Sequence, residues 1–76
     1  MKNLVFLCIG TTKIIGDSVG PKVGDKLKDL NVNAYVYGNT ARQVTALNVD
    51  DYAKMIKQRH KDDTVVVIDS ALGKIG

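Results

Sequence analysis

Residues 3–9, NLVFLCI, form a continuous apolar run that includes β-branched and aromatic side chains. Such a run predicts a strand that is covered on both faces, as in a parallel sheet. TVVVID at 64–69 gives the strongest strand signal in the chain, and NAYVYG at 33–38 predicts a further strand nearer a sheet edge. Parallel strands need long crossover connections, and the two intervening segments are long enough to supply them.

The segment at 19–30 has the apolar spacing of an amphipathic helix. Its predicted inward face consists of Val19, Val23, Leu27 and Leu30. Pro21 suits the first turn, where its missing N–H costs no hydrogen bond, and Ser18 or Gly20 is a candidate cap. Glycines are poor helix formers, so we expect Gly20 and Gly24 to permit close approach of the helix to the sheet. Asn31 is predicted to end the helix.

The segment at 49–60 predicts a second helix. Asn48 is placed as its N-cap, and Asp51 in its first turn favours the helix dipole. The predicted inward side chains are Val49, Tyr52, Ala53 and Ile56. The resulting order is β-α-β-α-β, which predicts an α/β fold, a βαβαβ unit with a parallel sheet and right-handed crossovers.

Residues 1–76 make at most one small domain. A three-stranded parallel sheet leaves two open edges, whereas complete domains of this class usually have more strands. We therefore expect a single incomplete α/β domain, the N-terminal part of a larger one, or a chain that finds its missing layers in a partner chain, with a homo-oligomer as one form.

Composition indicates which partners and which cellular compartment are favoured. The formal charge is +3, and the basic residues are scattered without interleaved aromatic residues, so nucleic-acid binding is not favoured. No apolar stretch approaches the roughly 20 residues that span a bilayer, and no cleavage site follows the first strand. The single cysteine, Cys8, suits a reducing cytoplasm and reads as an inert core residue.

Two carboxylates fall where open parallel sheets collect function, beyond the carboxyl ends of the strands. Asp17 lies in the loop IGTTKIIGDSVGP, 9–21, and Asp69 closes the last predicted strand. Converging carboxylates can share a proton and activate water, or they can bind a metal. The alternative is structural: Asp17 caps the following helix, and Asp69 accepts N–H bonds from SALG at 70–73. The spacing alone leaves both open.

Two other features are candidate parts of a site. His60 ends the second predicted helix, at the opposite end of the unit from the two carboxylates, so an interaction with the helix dipole is favoured over a role as ligand or base. GTTKIIG at 10–16 lacks the spacing of the common phosphate-binding loops. No cofactor is predicted, and the sequence does not decide whether a metal binds.

At these residues the sequence resembles the YyaC-type sporulation proteins of spore-forming Firmicutes. The resemblance rests on FLCIGT followed by GDSVGPKVGDKL, on YVYGN followed by Val44, Ala46 and Asn48, and on VVVIDSALGKIG. It covers nearly the whole chain in the right order.

That family is similar to the spore germination protease and, more distantly, to hydrogenase maturation proteases. The resemblance implies the first half of a phosphorylase/hydrolase-like, germination-protease-like three-layer fold. By the same analogy Asp17 and Asp69 fall on two functional carboxylates. In hydrogenase maturation proteases such a pair binds nickel together with a downstream histidine, which this chain does not contain. Family members usually have an acidic residue in the loop that is TTKII here, at 11–15.

The resemblance therefore implies a peptidase-related sporulation protein, a possible hydrolase acting on a protein substrate through Asp17 and Asp69. The other function class is a non-catalytic sporulation factor that binds a partner protein in the same crevice. The sequence has no nucleophilic triad and no zinc-ligand spacing that would decide between them.

Overall fold

The computed structural model describes residues 2–70. Within them the chain forms an α/β unit whose element order is β1 (Leu4–Ile9), α1 (Val19–Asp29), β2 (Tyr35–Tyr37), α2 (Val49–Arg59) and β3 (Thr64–Asp69). The predicted β-α-β-α-β order is confirmed. Both helices end one residue earlier than predicted, and β2 is half as long as the predicted strand at 33–38.

The sheet of the described residues is parallel throughout, with strand order β2-β1-β3. Because β1 is central, it supplies the fully buried side chains Val5 and Cys8. The chain moves from β1 to one side and then crosses to the other. With the right-handed crossovers that are the rule for parallel strands, α1 and α2 are expected on opposite faces. On the α2 face Leu7, Val44 and Ile56 form the core cluster.

Helix α1 packs against the sheet through its glycines rather than through the predicted apolar stripe. Gly20, Pro21 and Gly24 are its buried residues, whereas Val19 and Leu30 are more than half exposed. A Cβ at Gly24 would lie 1.8 Å from the carbonyl oxygen of Gly38. The predicted close approach is therefore confirmed, but the placement of Val19 and Leu30 on the buried face is wrong. The backbone contact turns those ends of the stripe outward.

Both helix boundaries have a local cause. Helix α1 ends at Asp29 with Leu30 as its C-cap, and Asn31, the predicted stop, follows directly in the left-handed region at φ +54°. At the start of α2, Asn48 occupies the N-cap position but makes no side-chain cap bond. Its Oδ1 accepts instead from the N–H of Thr45 at 2.8 Å, so its side chain folds the preceding segment.

Strand β3 has the predicted bounds but lies at an edge of the described sheet. Val65, Val66 and Val67 remain 38–53% exposed. Consecutive residues of a strand point to opposite faces, so apolar surface is left on both faces of β3. The described part of the chain contains no helix that is both long and apolar enough to cross a membrane.

Candidate functional site

A cleft of about 750 Å³ opens at the carboxyl edge of β1 and β3. One wall of the cleft is formed by residues 9–17, which are the end of β1 and the β1–α1 loop. The other wall is formed by the segment at 43–49. The strand order explains its position. The connection after β1 leads to β2 on one side, and the connection after β2 passes β1 to reach β3 on the other side. The strand order therefore changes direction between β1 and β3, and a crevice forms beyond the strand ends at such a switch point.

Both predicted site residues line this cleft. Asp69 ends β3 directly beside Ile9, the last residue of β1, in the parallel register. Asp17 comes from the β1–α1 loop, and its Oδ1 is closed off from solvent. The structure thus brings into one cavity two carboxylates that lie far apart in sequence. Their catalytic role stays a prediction.

The β1–α1 loop folds back on itself to present Asp17. The N–H of Thr11 donates to the carbonyl oxygen of Asp17 at 2.9 Å, and the N–H of Asp17 donates to that of Ile14 at 3.1 Å. Gly10 makes this closure possible, because a Cβ there would lie 2.2 Å from the Asp17 carbonyl oxygen. Its φ of +157° is a backbone conformation that residues with a side chain rarely adopt, so conformation as well as space excludes a side chain.

Gln43 joins the two walls and was missed at the sequence level. Its Nε2 donates to Thr12 Oγ1 at 2.8 Å and to the Thr40 carbonyl at 3.2 Å. Its Oε1 accepts from the Thr12 N–H at 3.3 Å. Asp25 of α1 in turn accepts from the N–H and hydroxyl of Thr40, which holds the pKa of Asp25 below its usual value. Nothing in the spacing of a lone glutamine could have indicated this link.

Ser70 is the second residue that sequence reasoning missed. It is buried directly after Asp69; its hydroxyl donates to the Ile9 carbonyl at 3.1 Å and accepts from the Gly20 N–H. A residue beyond β3 therefore caps the first turn of α1, while Ser18 at the N-cap position makes no side-chain cap bond. The one sequence feature that could have pointed to Ser70 was its position directly after the carboxylate that ends a strand. The predicted bonds from 71–73 to Asp69 lie outside the described residues.

The whole chain, residues 1–76, matches the family described as "Protein of unknown function (DUF1256)". The chain belongs to this family. It is 40% identical over 75 residues to "Uncharacterized protein YyaC" of Bacillus subtilis (strain 168), a match that covers 97% of this chain and 37% of the relative. The chain thus spans a little over a third of the length of that DUF1256-type relative. No solved structure matches the chain.

In this DUF1256 chain His60 does not line the cleft. As predicted, it lies at the C-terminal end of α2, where its N–H donates to the Ile56 carbonyl at 2.8 Å. Its buried ring lies within hydrogen-bond distance of Tyr37 Oη at 2.8 Å and of Asp63 Oδ2 at 2.7 Å. Two hydrogen bonds hold the pKa of Asp63 below its usual value: the larger effect comes from the Asn3 N–H, and the smaller from the His60 ring. This cluster ties the end of α2 to the start of β1.

Besides the two carboxylates, the described lining of the cleft contains the Lys13 amine and the hydroxyl groups of Thr11 and Thr45. Cys8 is buried in the core, and burial raises the pKa of its thiol, so it does not serve as the nucleophile. Within residues 2–70 no group of three or more histidine, cysteine or acidic side chains is placed to hold a metal ion. Asp17 and Asp69 can polarise a water or supply two oxygen ligands.

Proposed function

We propose that the cleft hydrolyses a protein substrate through Asp17 and Asp69. One observation supports this most: the loop carboxylate and the strand-end carboxylate line the same cavity at the switch point of a parallel sheet. Ligands of open α/β sheets bind at such points. The cleft is mostly apolar with a few polar groups, as is typical of sites that enclose a ligand.

In the proposed reaction one aspartate takes up a proton from solvent as the substrate binds, and the other stays ionised. The ionised carboxylate takes a proton from water, and the water oxygen bonds to the carbonyl carbon of the scissile amide. The protonated carboxyl donates to the carbonyl oxygen, which gives a neutral tetrahedral adduct. As the carbon–nitrogen bond breaks, the first carboxyl gives the proton that it took from water to the leaving nitrogen, and the second carboxylate takes the proton of an adduct hydroxyl group. The products are a carboxylic acid and an amine.

The test compares the protein with Asp17→Asn and Asp69→Asn, using Asp62→Asn as a control because Asp62 is exposed in the α2–β3 turn. Fluorescently labelled casein and a mixed peptide library serve as substrates, with cleavage read by mass spectrometry. Cleavage by the wild type and the Asp62 variant, and its loss in both cleft variants, is expected. Equal cleavage by all four proteins, or by none, rejects the proposal.

A non-catalytic role is the second candidate, and the exposed apolar side chains of Ile14 and Leu47 in the cleft favour it. In this non-catalytic role the same crevice binds a partner protein without cleaving it. Stable capture of a defined peptide from the library, with no new termini after prolonged incubation, would select this function over hydrolysis.

The relationship of the family to known proteases, and its cellular role, are also proposals. We infer that the family is related to the spore germination protease and to hydrogenase maturation proteases, with a role in sporulation in the cytoplasm. The support is the acidic residue in the loop after β1 and the second that ends β3, as the resemblance implies, together with a single, buried cysteine. A solved structure of a full-length family member with different strand connections after β3 would contradict the relationship.

Further polypeptide is proposed to cover β3, either from a longer chain or from a second copy. Val65, Val66 and Val67 are exposed, and an uncovered apolar edge strand promotes association. Sedimentation of residues 1–76 alone is expected to show association or incomplete folding. A stable, well-folded monomer of these residues would contradict this.

A further inference from the structure

The cleft has exposed aliphatic side chains on both walls. Ile14, in the β1–α1 loop, is 54% exposed, and Leu47, just before α2, is 97% exposed. Large apolar side chains that line a concave site without being covered by the fold mark a place where a ligand binds. We propose that the cleft takes a neutral or basic peptide segment whose aliphatic side chain is held between Ile14 and Leu47, a specificity that rests on the proposed function.

Local bonds order the backbone at both positions before any ligand arrives. The Leu47 N–H donates to Thr45 Oγ1 at 3.2 Å, and Asn48 Nδ2 donates to the Gln43 carbonyl at 3.1 Å. The Ile14 carbonyl accepts from the Asp17 N–H, which closes that loop. Ordered backbone at both positions lowers the entropic cost of holding a ligand between them. Leu47 is therefore exposed on a segment whose backbone is ordered.

The charges of the lining select the class of occupant. Asp17 and Asp69 outweigh Lys13, the one basic residue among the described residues of the cleft, so phosphates and acidic peptides are repelled. A wholly apolar ligand would satisfy Ile14 and Leu47 but desolvate the carboxylates without compensation. A peptide supplies an apolar side chain and polar amides together, and it carries the bond that the proposed chemistry cleaves.

Binding is tested with two probes that differ in one side chain, acetyl-Ala-Leu-Ala-amide and acetyl-Ala-Ser-Ala-amide, titrated into the isotope-labelled protein and followed by NMR. The leucine probe is expected to bind about tenfold more tightly, as for other single apolar contacts in a pocket. Ile14→Ser and Leu47→Ser should remove that preference. Ile15→Ser is the matched control, because Ile15 is 99% exposed beside Ile14 but does not line the cleft.

Each other outcome overturns the subsite. Equal binding of the two probes, or equal loss in the Ile15 variant, shows no side-chain subsite at these positions. Self-association of the wild type that Ile14→Ser or Leu47→Ser abolishes, without any probe preference, makes a second copy the occupant instead.

Hydrolysis is scored separately with longer peptides in which leucine is exchanged for serine. Leucine-selective binding without cleavage retains the subsite and rejects the hydrolase. Cleavage without leucine preference retains the hydrolase and rejects the subsite. Asp17→Asn should abolish cleavage while the leucine preference in binding persists, so failure of the chemistry and failure of the subsite remain distinguishable.

Discussion

Gln43 and Thr12 are joined by a reciprocal pair of hydrogen bonds across the cleft walls: Gln43 Nε2 donates to Thr12 Oγ1 at 2.8 Å, and the Thr12 N–H donates to Gln43 Oε1 at 3.3 Å. The loop that carries Asp17 is thereby attached to the segment that precedes α2. The link is exposed, so its effect is expected to be local rather than global.

Gln43→Ala should accelerate amide hydrogen exchange across residues 10–17 while lowering the free energy of unfolding by no more than about 1.5 kcal/mol, the usual range for a hydrogen bond. Hydrogen exchange followed by NMR checks the first part, and urea unfolding checks the second. Gln58→Ala is the control, since Gln58 is an exposed glutamine on α2. Unchanged exchange across the loop in the Gln43 variant would show that the loop closes by its own backbone bonds.

Ser70→Ala is expected to lower the free energy of unfolding by about 1–3 kcal/mol, because it deprives the Gly20 N–H and the Ile9 carbonyl of their buried partner. Ser18→Ala provides a matched comparison, as Ser18 occupies the N-cap of α1 without a side-chain cap bond. Its expected cost is below about 0.5 kcal/mol. Chemical denaturation of both variants measures the difference. A larger loss for Ser18 than for Ser70 would reverse the assignment of the cap.

Asp17→Asn and Asp69→Asn should leave the free energy of unfolding unchanged or raise it, because each substitution removes one of two like charges that line the same cleft. Thermal and urea unfolding of each variant, with Asp62→Asn as control, provide the measurement. If Asp17 instead stabilises the start of α1 as a cap, Asp17→Ala should cost about 0.5–2 kcal/mol. A marked loss of stability in both Asn variants would favour the structural role.

Stability should fall in acid partly through Asp63. The Asn3 N–H and His60 hold its pKa below the usual value in the folded protein, so ionised Asp63 stabilises the fold above the unfolded-state pKa of about 3.9. That contribution is lost as pH falls from there through the lower folded-state pKa. Asp63→Asn should therefore flatten the decline in stability below about pH 4, whereas Asp62→Asn should not. The measurement is urea unfolding at a series of acid pH values. An equal dependence of the free energy of unfolding on pH in all three proteins would contradict the role of Asp63.

The sequence determined the elements and their order because apolar periodicity is a local property. The runs at 3–9 and 64–69 predicted strands of a parallel sheet, and that order placed Asp17 in the loop after the first strand and Asp69 at the end of the last. The predicted stop at Asn31 was correct to within one residue: it follows the Leu30 C-cap, since an asparagine tolerates the left-handed backbone after a helix end.

Only the tertiary structure decided which surfaces meet. Periodicity placed Val19 and Leu30 on the buried face of α1, but the contact of Gly24 with the Gly38 backbone set the helix orientation and left them exposed. Likewise, Ser70 caps a helix that begins some fifty residues earlier, and Gln43 reaches a loop that precedes it by thirty-one. Hydrogen bonds of this kind depend on which chain segments the crossovers bring together, and no local pattern records them.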